Sequence, residues 1–365
     1  MQLVFVCGLA LLCLYAVEVL QSHEQQPYFR EKLTAARTAK SAMDLLQVER
    51  LRRKILPDPE SDPAGTGMIG TVISSITSGS GSLASKQTAC NPNLAAVVVQ
   101  WFKQLNLKRG DVIAVGMSGS FPCANIAVLA ASHTLGIQPL IISSVAASQW
   151  GANHPEFTWL DMESYLYKRG VFPFRSIAAS RGGVGDRGLG ISKLGRQQLD
   201  DAMERNKVEV LRPKTIEESI EQRMAIYTQY AMERPILAYV NVGGGTVSVG
   251  TKVGKKNFKP GINRRVPHAA AQIPSVLGAF IKEGAPVIHI SQLIQIAEVY
   301  GIEAAPLTLP NPGEGAIFLR KEHNRWLAAG ITVALFALMT WLFRLPYSVR
   351  FLARHSQSDA KRSLP

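Results

Sequence analysis

The residues best placed to do chemistry form a short run, Gly116-Met117-Ser118-Gly119-Ser120, directly after a strand-length apolar stretch. The run comes within one residue of the Gly-x-Ser-x-Gly elbow, in which a strand-to-helix turn presents a nucleophilic serine. Ser120 stands where the second glycine belongs. A hydrolytic triad built on Ser118 also needs an acid and a histidine later in the chain. Asp161 or Asp186 with His268 or His289 supplies that order, but spacing alone does not bring them together. The same serines suit a second chemistry. N–H groups at the start of the following helix lack intrahelical partners, so Ser118, Gly119 and Ser120 can hold a carboxylate or phosphate. Ser143 and Ser144, closing the next apolar run, and Gly243, Gly244 and Gly245, closing a later one, extend that ligand-binding set.

Two further segments add candidates. QWGANHPEFTWLDMES places Asn153 and His154 among aromatic and ionisable residues, as a binding loop would. Its tryptophans can equally plug the sheet edge, and Asp161 reads as a helix cap. SRGGVGDRGLGIS is too rich in glycine for regular structure. It presents Arg181 and Arg187 either to an anionic group or to solvent. The basic stretch 252–265 is open to the same two readings. Walker A, His-Glu-x-x-His and Cys-x-x-Cys patterns are absent, and Gly243-Gly244-Gly245 lacks the dinucleotide spacing, so no metal and no cofactor is expected. Of four cysteines, Cys90 and Cys123 fall in the globular part, either as a disulfide or as small core residues.

The elements that must position these residues are set by the hydrophobic pattern. Residues 111–115 read as a strand, 116–120 as a turn, 123–135 as a helix and 140–145 as a second strand, which is one βαβ unit. Strands at 236–242 and 286–290 alternate with helices at 91–106, 193–207, 216–234 and 292–300, the last capped by Ser291 and the one at 216 opened by a Thr215/Glu218 capping box. That alternation predicts an α/β fold, a mostly parallel sheet with helices on both faces. It occupies residues 90–320. Before it lie a basic helix over 22–56, either a headgroup-facing stalk or an ordinary surface helix, and a linker or site-covering loop over 57–89. Residues 1–21 and 326–343 are apolar enough to suggest flanking transmembrane helices, with a basic tail over 344–365. That topology places the protein in the cell (inner) membrane with its globular domain outward. With 40 Lys and Arg against 27 Asp and Glu, the net charge of +13 favours anionic partners: lipid headgroups, nucleic acid or an acidic polymer.

Five long strings, ACNPNLAAVVVQWFKQL, GDVIAVGMSGSFPCANIAVLAA, ISSVAASQWGANHPEFTWLDME, GGVGDRGLGISKLGR and NVGGGTVSVG, occur in that order. Over residues 68–310 the chain thereby resembles the poly-γ-glutamate system proteins. The resemblance implies a membrane-associated accessory component that works beside other membrane components of poly-γ-glutamate synthesis or export. It selects poly-γ-glutamate or a γ-glutamyl precursor as the partner in preference to nucleic acid, and it carries over no catalytic residue. Trimming or release of the polymer by Ser118, and a purely structural role in the synthetase assembly, remain the alternatives.

Overall fold

The computed structural model describes residues 2–344. It divides into two units, the larger being Gln25–Leu319. The smaller draws on both ends of the chain and contains the helices Gln2–Val19 and Arg325–Arg344.

In the larger unit the seven strands of one sheet are β1 (Val112–Ser118), β2 (Gln138–Ser144), β3 (Ser176–Ser180), β4 (Glu209–Val210), β5 (Ile236–Val242), β6 (Gly261–Asn263) and β7 (Val287–Ile290). Their spatial order is β4-β3-β2-β1-β5-β7-β6. Every pairing is parallel except β6 with β7. The expected mostly parallel α/β sheet is therefore what forms. The chain winds outward from β1 to β4, then returns to lay β5 on the other side of β1. This reversal opens a crevice between the carboxyl ends of β1 and β5, the usual ligand position in open α/β sheets.

Alternation along β1 divides the core. Ile113, Val115 and Met117 enter one apolar cluster, while Ala114 enters another with Tyr239 and Val287. The first face is covered by α1 (Phe29–Arg52), α2 (Leu83–Ala89), α3 (Leu94–Gln104), α4 (Pro122–Leu135), α5 (Trp159–Lys168) and α9 (Leu293–Tyr300). The second face carries α7 (Ile216–Ala231) and α8 (Val276–Lys282), while α6 (Lys193–Arg205) closes a third cluster near β3. Helix α4 is buried almost all round, and its small residues let α1 approach through Ala35, Ala36, Ala39, Ala42, Met43 and Leu46. The basic helix near the N-terminus is thus a core helix, its cations confined to the outer side except for buried Lys32 and Arg50. The loop expected over 57–89 includes α2, started by a hydrogen bond from the Ser85 N–H to Ser82 Oγ.

The flanking transmembrane helices are a correction. Among the described residues no helix is long and apolar enough to cross a membrane. Gln2–Val19 has 18 residues, ~27 Å at 1.5 Å per residue, against a hydrocarbon core of ~30 Å. Arg325–Arg344 has 20 residues, two of them its terminal arginines, so its uncharged stretch is equally short. The membrane topology that rested on those two spans loses its support with them. From residue 345 onward the expected basic tail lies outside the described residues.

Candidate functional site

β1 ends on Ser118, which pairs in register with Ser144 at the end of β2, and Ser144 pairs with Ser180 at the end of β3. Pairing in parallel strands at one level turns the three side chains to the same face, so the carboxyl edge carries a row of hydroxyls. Gly243 continues the row on the β5 side. Its φ of 92° belongs to the region glycine favours, and a Cβ there would lie 3.5 Å from Ser118 Cβ and 3.7 Å from Ser118 Oγ. Gly244 and Gly245 are exposed, and the Lys255 side chain comes within 3.3 Å of where a Gly244 Cβ would stand. Among the described residues Lys255 has no ion-pair partner. Ser118 is half-buried, accepting a bond of 3.1 Å from the Ser120 N–H on its Oγ and one of 2.9 Å from Asn125 Nδ2 on its carbonyl.

The row ends differently at β3. Ser180 Oγ donates to Asp186 Oδ1 at 2.6 Å, and Ser219 Oγ donates to Asp186 Oδ2 at 2.6 Å. Arg223, only 4% exposed, donates through Nη2 to Asp186 Oδ2 at 2.9 Å and to Ser180 Oγ at 2.8 Å. The row thus already holds one carboxylate, Asp186, with hydroxyls and a guanidinium.

No family model, curated protein or solved structure matches this chain. The chemistry of the site is therefore read from its own residues.

The other candidates lie elsewhere. Ser143 faces the opposite side of β2, its Oγ 2.8 Å from Ser176 Oγ. Ser176 in turn donates from N and Oγ to buried Glu163, whose carboxyl burial pushes up to about 7 despite those two bonds. Asn153 is a buried latch: its Oδ1 accepts from the Thr71 N–H at 3.0 Å and its Nδ2 donates to the Thr71 carbonyl at 2.8 Å. His154 lines a separate cavity of about 230 Å³ with Arg50 and Phe157. Arg181 pairs with Asp200 at 2.8 Å, and exposed Arg187 donates to the Lys214 carbonyl at 2.8 Å. Gly119 packs against the β2 exit, where a Cβ would meet the Val145 carbonyl at 2.6 Å. Ser120 Oγ accepts from the Ser148 N–H at 3.0 Å.

A triad on Ser118 is not assembled. Asp161 completes the Thr158 capping box and binds Arg205, Asp186 is spent on Arg223, and His268 is exposed on a short 3-10 turn. His289 is buried in β7, its Nδ1 3.0 Å from Asn241 Nδ2 and its Nε2 without a partner, and burial lowers it to about 4. Among the described residues no hydrogen bond links Ser118 to a histidine or a carboxylate, and no group of three His, Cys, Asp or Glu side chains is placed to hold a metal ion.

Two features have no counterpart in the sequence patterns. One is Arg223, an arginine on an otherwise ordinary helix face. The other is Lys86 on α2, 3% exposed and, among the described residues, without a carboxylate partner. Its Nζ donates to the Ser120 carbonyl and to Ser148 Oγ at 2.8 Å, and lies 3.8 Å over the Phe121 ring. The nearby thiols of Cys90 and Cys123 are free and buried, and burial pushes the Cys123 thiol up.

Proposed function

We propose that this chain binds a carboxylate-bearing ligand of the γ-glutamyl class, polymer or precursor, at the Ser118 end of the serine row, and serves poly-γ-glutamate synthesis or export as a binding component. The supporting observation is the neighbouring end of the same row, where Asp186 is held by Ser180, Ser219 and Arg223. At the β1 end, Ser118 Oγ accepts from the Ser120 N–H and its own hydroxyl proton is uncommitted. Exposed Gly244 and Gly245 leave room for an extended ligand, and Lys255 supplies the charge. The γ-glutamyl identity of the ligand rests on the family resemblance of the five sequence strings.

Calorimetric titration of the full chain with γ-glutamyl oligomers tests this function. A hydrogen bond to a charged group contributes about 1.5–3 kcal/mol, so Ser118→Ala is expected to weaken binding by about 10-fold or more. Lys255→Glu is expected to weaken it further and to flatten its dependence on salt. Absence of binding by the natural chain, or affinity unchanged in both variants, overturns the proposal.

A further inference from the structure

The environment of Lys86 differs from that of every cation at the serine row. A buried ammonium without a counter-ion is costly, and a lysine in that position gains by losing its proton. The titratable groups that act on Lys86 are the thiols of Cys90, which ends its own helix, and Cys123, in the first turn of α4. Arg50 and Asp62 lie beyond these thiols and act on them. Burial is the dominant influence and brings the Lys86 amine down to about 7.

A neutral amine has two N–H groups and one lone pair. The ammonium form donates to the Ser120 carbonyl and to Ser148 Oγ at 2.8 Å; in the neutral form one N–H keeps the carbonyl, and the lone pair accepts from the Ser148 hydroxyl over the same distance. Ser148 is fixed by its own N–H, bonded to Ser120 Oγ at 3.0 Å, and it is half-buried. What covers it is a Ser/Gly segment. The Gln149 N–H donates to the Gly79 carbonyl at 3.0 Å, and the Gly81 N–H donates to Gln149 Oε1 at 3.1 Å. A Cβ on Gly81 would lie 3.3 Å from Ser148 Oγ, and Gly79 and Ser80 are exposed. Ser148 thus stays half-buried beside Gly81 and an exposed Gly79-Ser80 turn.

We propose that Ser148 and Lys86 form a serine–lysine dyad for acyl transfer from an ester or amide, Ser148 Oγ being the nucleophile and Lys86 Nζ its base. The Oγ attacks the carbonyl carbon as its proton passes to Nζ. Collapse of the tetrahedral adduct breaks the bond to the leaving alkoxide or amine, which takes that proton from the Lys86 ammonium. Water then adds to the acyl-serine by the same route, giving the free acid and restoring the Ser148 hydroxyl. The dyad is independent of the ligand proposed for the Ser118 end of the row.

The test treats the full chain with a fluorophosphonate probe, which phosphonylates an activated serine with loss of fluoride, and locates the label by peptide mass spectrometry. The expected result is label on Ser148, with a rate that rises with pH through a midpoint near 7. Ser148→Ala is expected to abolish it. Lys86→Arg puts a permanently charged group against the Ser120 carbonyl with no lone pair near neutral pH, so labelling is expected to slow by about 100-fold or more. No label on Ser148 in the natural chain, label at Ser118 instead, or equal rates in Lys86→Arg overturns the dyad. If Lys86→Arg melts early, the natural chain decides: a midpoint near 7 supports the dyad, and a rate still climbing at pH 10 overturns it.

Discussion

At the β3 end of the serine row, Ser180 donates to a carboxylate that belongs to the chain itself, Asp186, and Arg223 neutralises it out of contact with water. At the β1 end, Ser118 has the same hydroxyl, the same face and the same level in the sheet, but its neighbours are Gly243, exposed Gly244 and a lysine outside any ion pair among the described residues. The contrast arises in the loops that leave the strands. After β3 the glycine-rich loop turns back and inserts Asp186, with φ of 63°, into the row. After β5 three glycines bring no side chain to it. One end has been completed as structure, and the other has been left with donors and no acceptor.

The largest effect is expected from breaking the completed end. Arg223→Met leaves Asp186 charged and buried with only hydroxyl donors, and removal of one member of a buried pair costs about 3–5 kcal/mol. Urea denaturation is expected to show that loss. The double variant Arg223→Met/Asp186→Asn removes both charges and is expected to recover much of it. Lys255→Met at the other end removes an exposed cation and is expected to change stability by less than about 0.5 kcal/mol. A comparable loss in Lys255→Met would erase the distinction between the two ends.

Acid–base behaviour sharpens the same comparison, because the two halves of the sheet bury titrating groups of opposite preference. Behind β2 and β3, Glu163 is raised from its usual 4.5 to about 7, so folding favours its protonated form. The stability it contributes is complete below 4.5 and is lost as pH rises to about 7. Behind β5 and β7, His289 is lowered from 6.5 to about 4, so folding favours the neutral ring. Its contribution is complete above 6.5 and is lost as pH falls to about 4. Between pH 4.5 and 6.5 the two slopes oppose each other, each at about 1.4 kcal/mol per pH unit. Glu163→Gln is expected to make stability fall more steeply as pH drops through that window, and His289→Gln to make it fall less. Urea midpoints at three pH values measure both slopes, and an unchanged slope in either variant removes that group from the account.

Much of this architecture is legible in the sequence because the parallel strands are buried on both faces and read as unbroken apolar runs. The strand Ile236–Val242 lies where its composition places it, and the βαβ unit around β1 differs by a few residues. The strand expected over 111–115 stops short because Gly116 and Ser118 look like a turn, although both continue the β1 ladder. β6 is only three residues long and sits inside a basic segment, too short to show a period. Ser291 does not cap α9; Gln292 enters the left-handed region and Ser291 Oγ is left without a partner. For the site, the serine turns and triple glycine are visible as types. Which arginines reach them is not, because Arg181 and Arg187 are near in sequence yet turn to Asp200 and Lys214, whereas Arg223 arrives from a distant helix.

A smaller pair of losses separates the two ends most directly. Ser180→Ala removes a donor from a buried carboxylate and an acceptor from Arg223, and unsatisfied buried groups cost about 1–3 kcal/mol. Ser118→Ala removes one acceptor from the Ser120 N–H at a half-buried position where water can take its place, so a loss of about 0.5 kcal/mol is expected. Guanidinium denaturation of the two variants side by side measures the difference. If Ser118→Ala were as costly as Ser180→Ala, the Ser118 hydroxyl would be a brace of the fold in the way that Ser180 is, and the ligand site proposed for it would lose its free donor. A small loss of stability together with a large loss of γ-glutamyl affinity is the combination that only an open, ligand-directed end of the row produces.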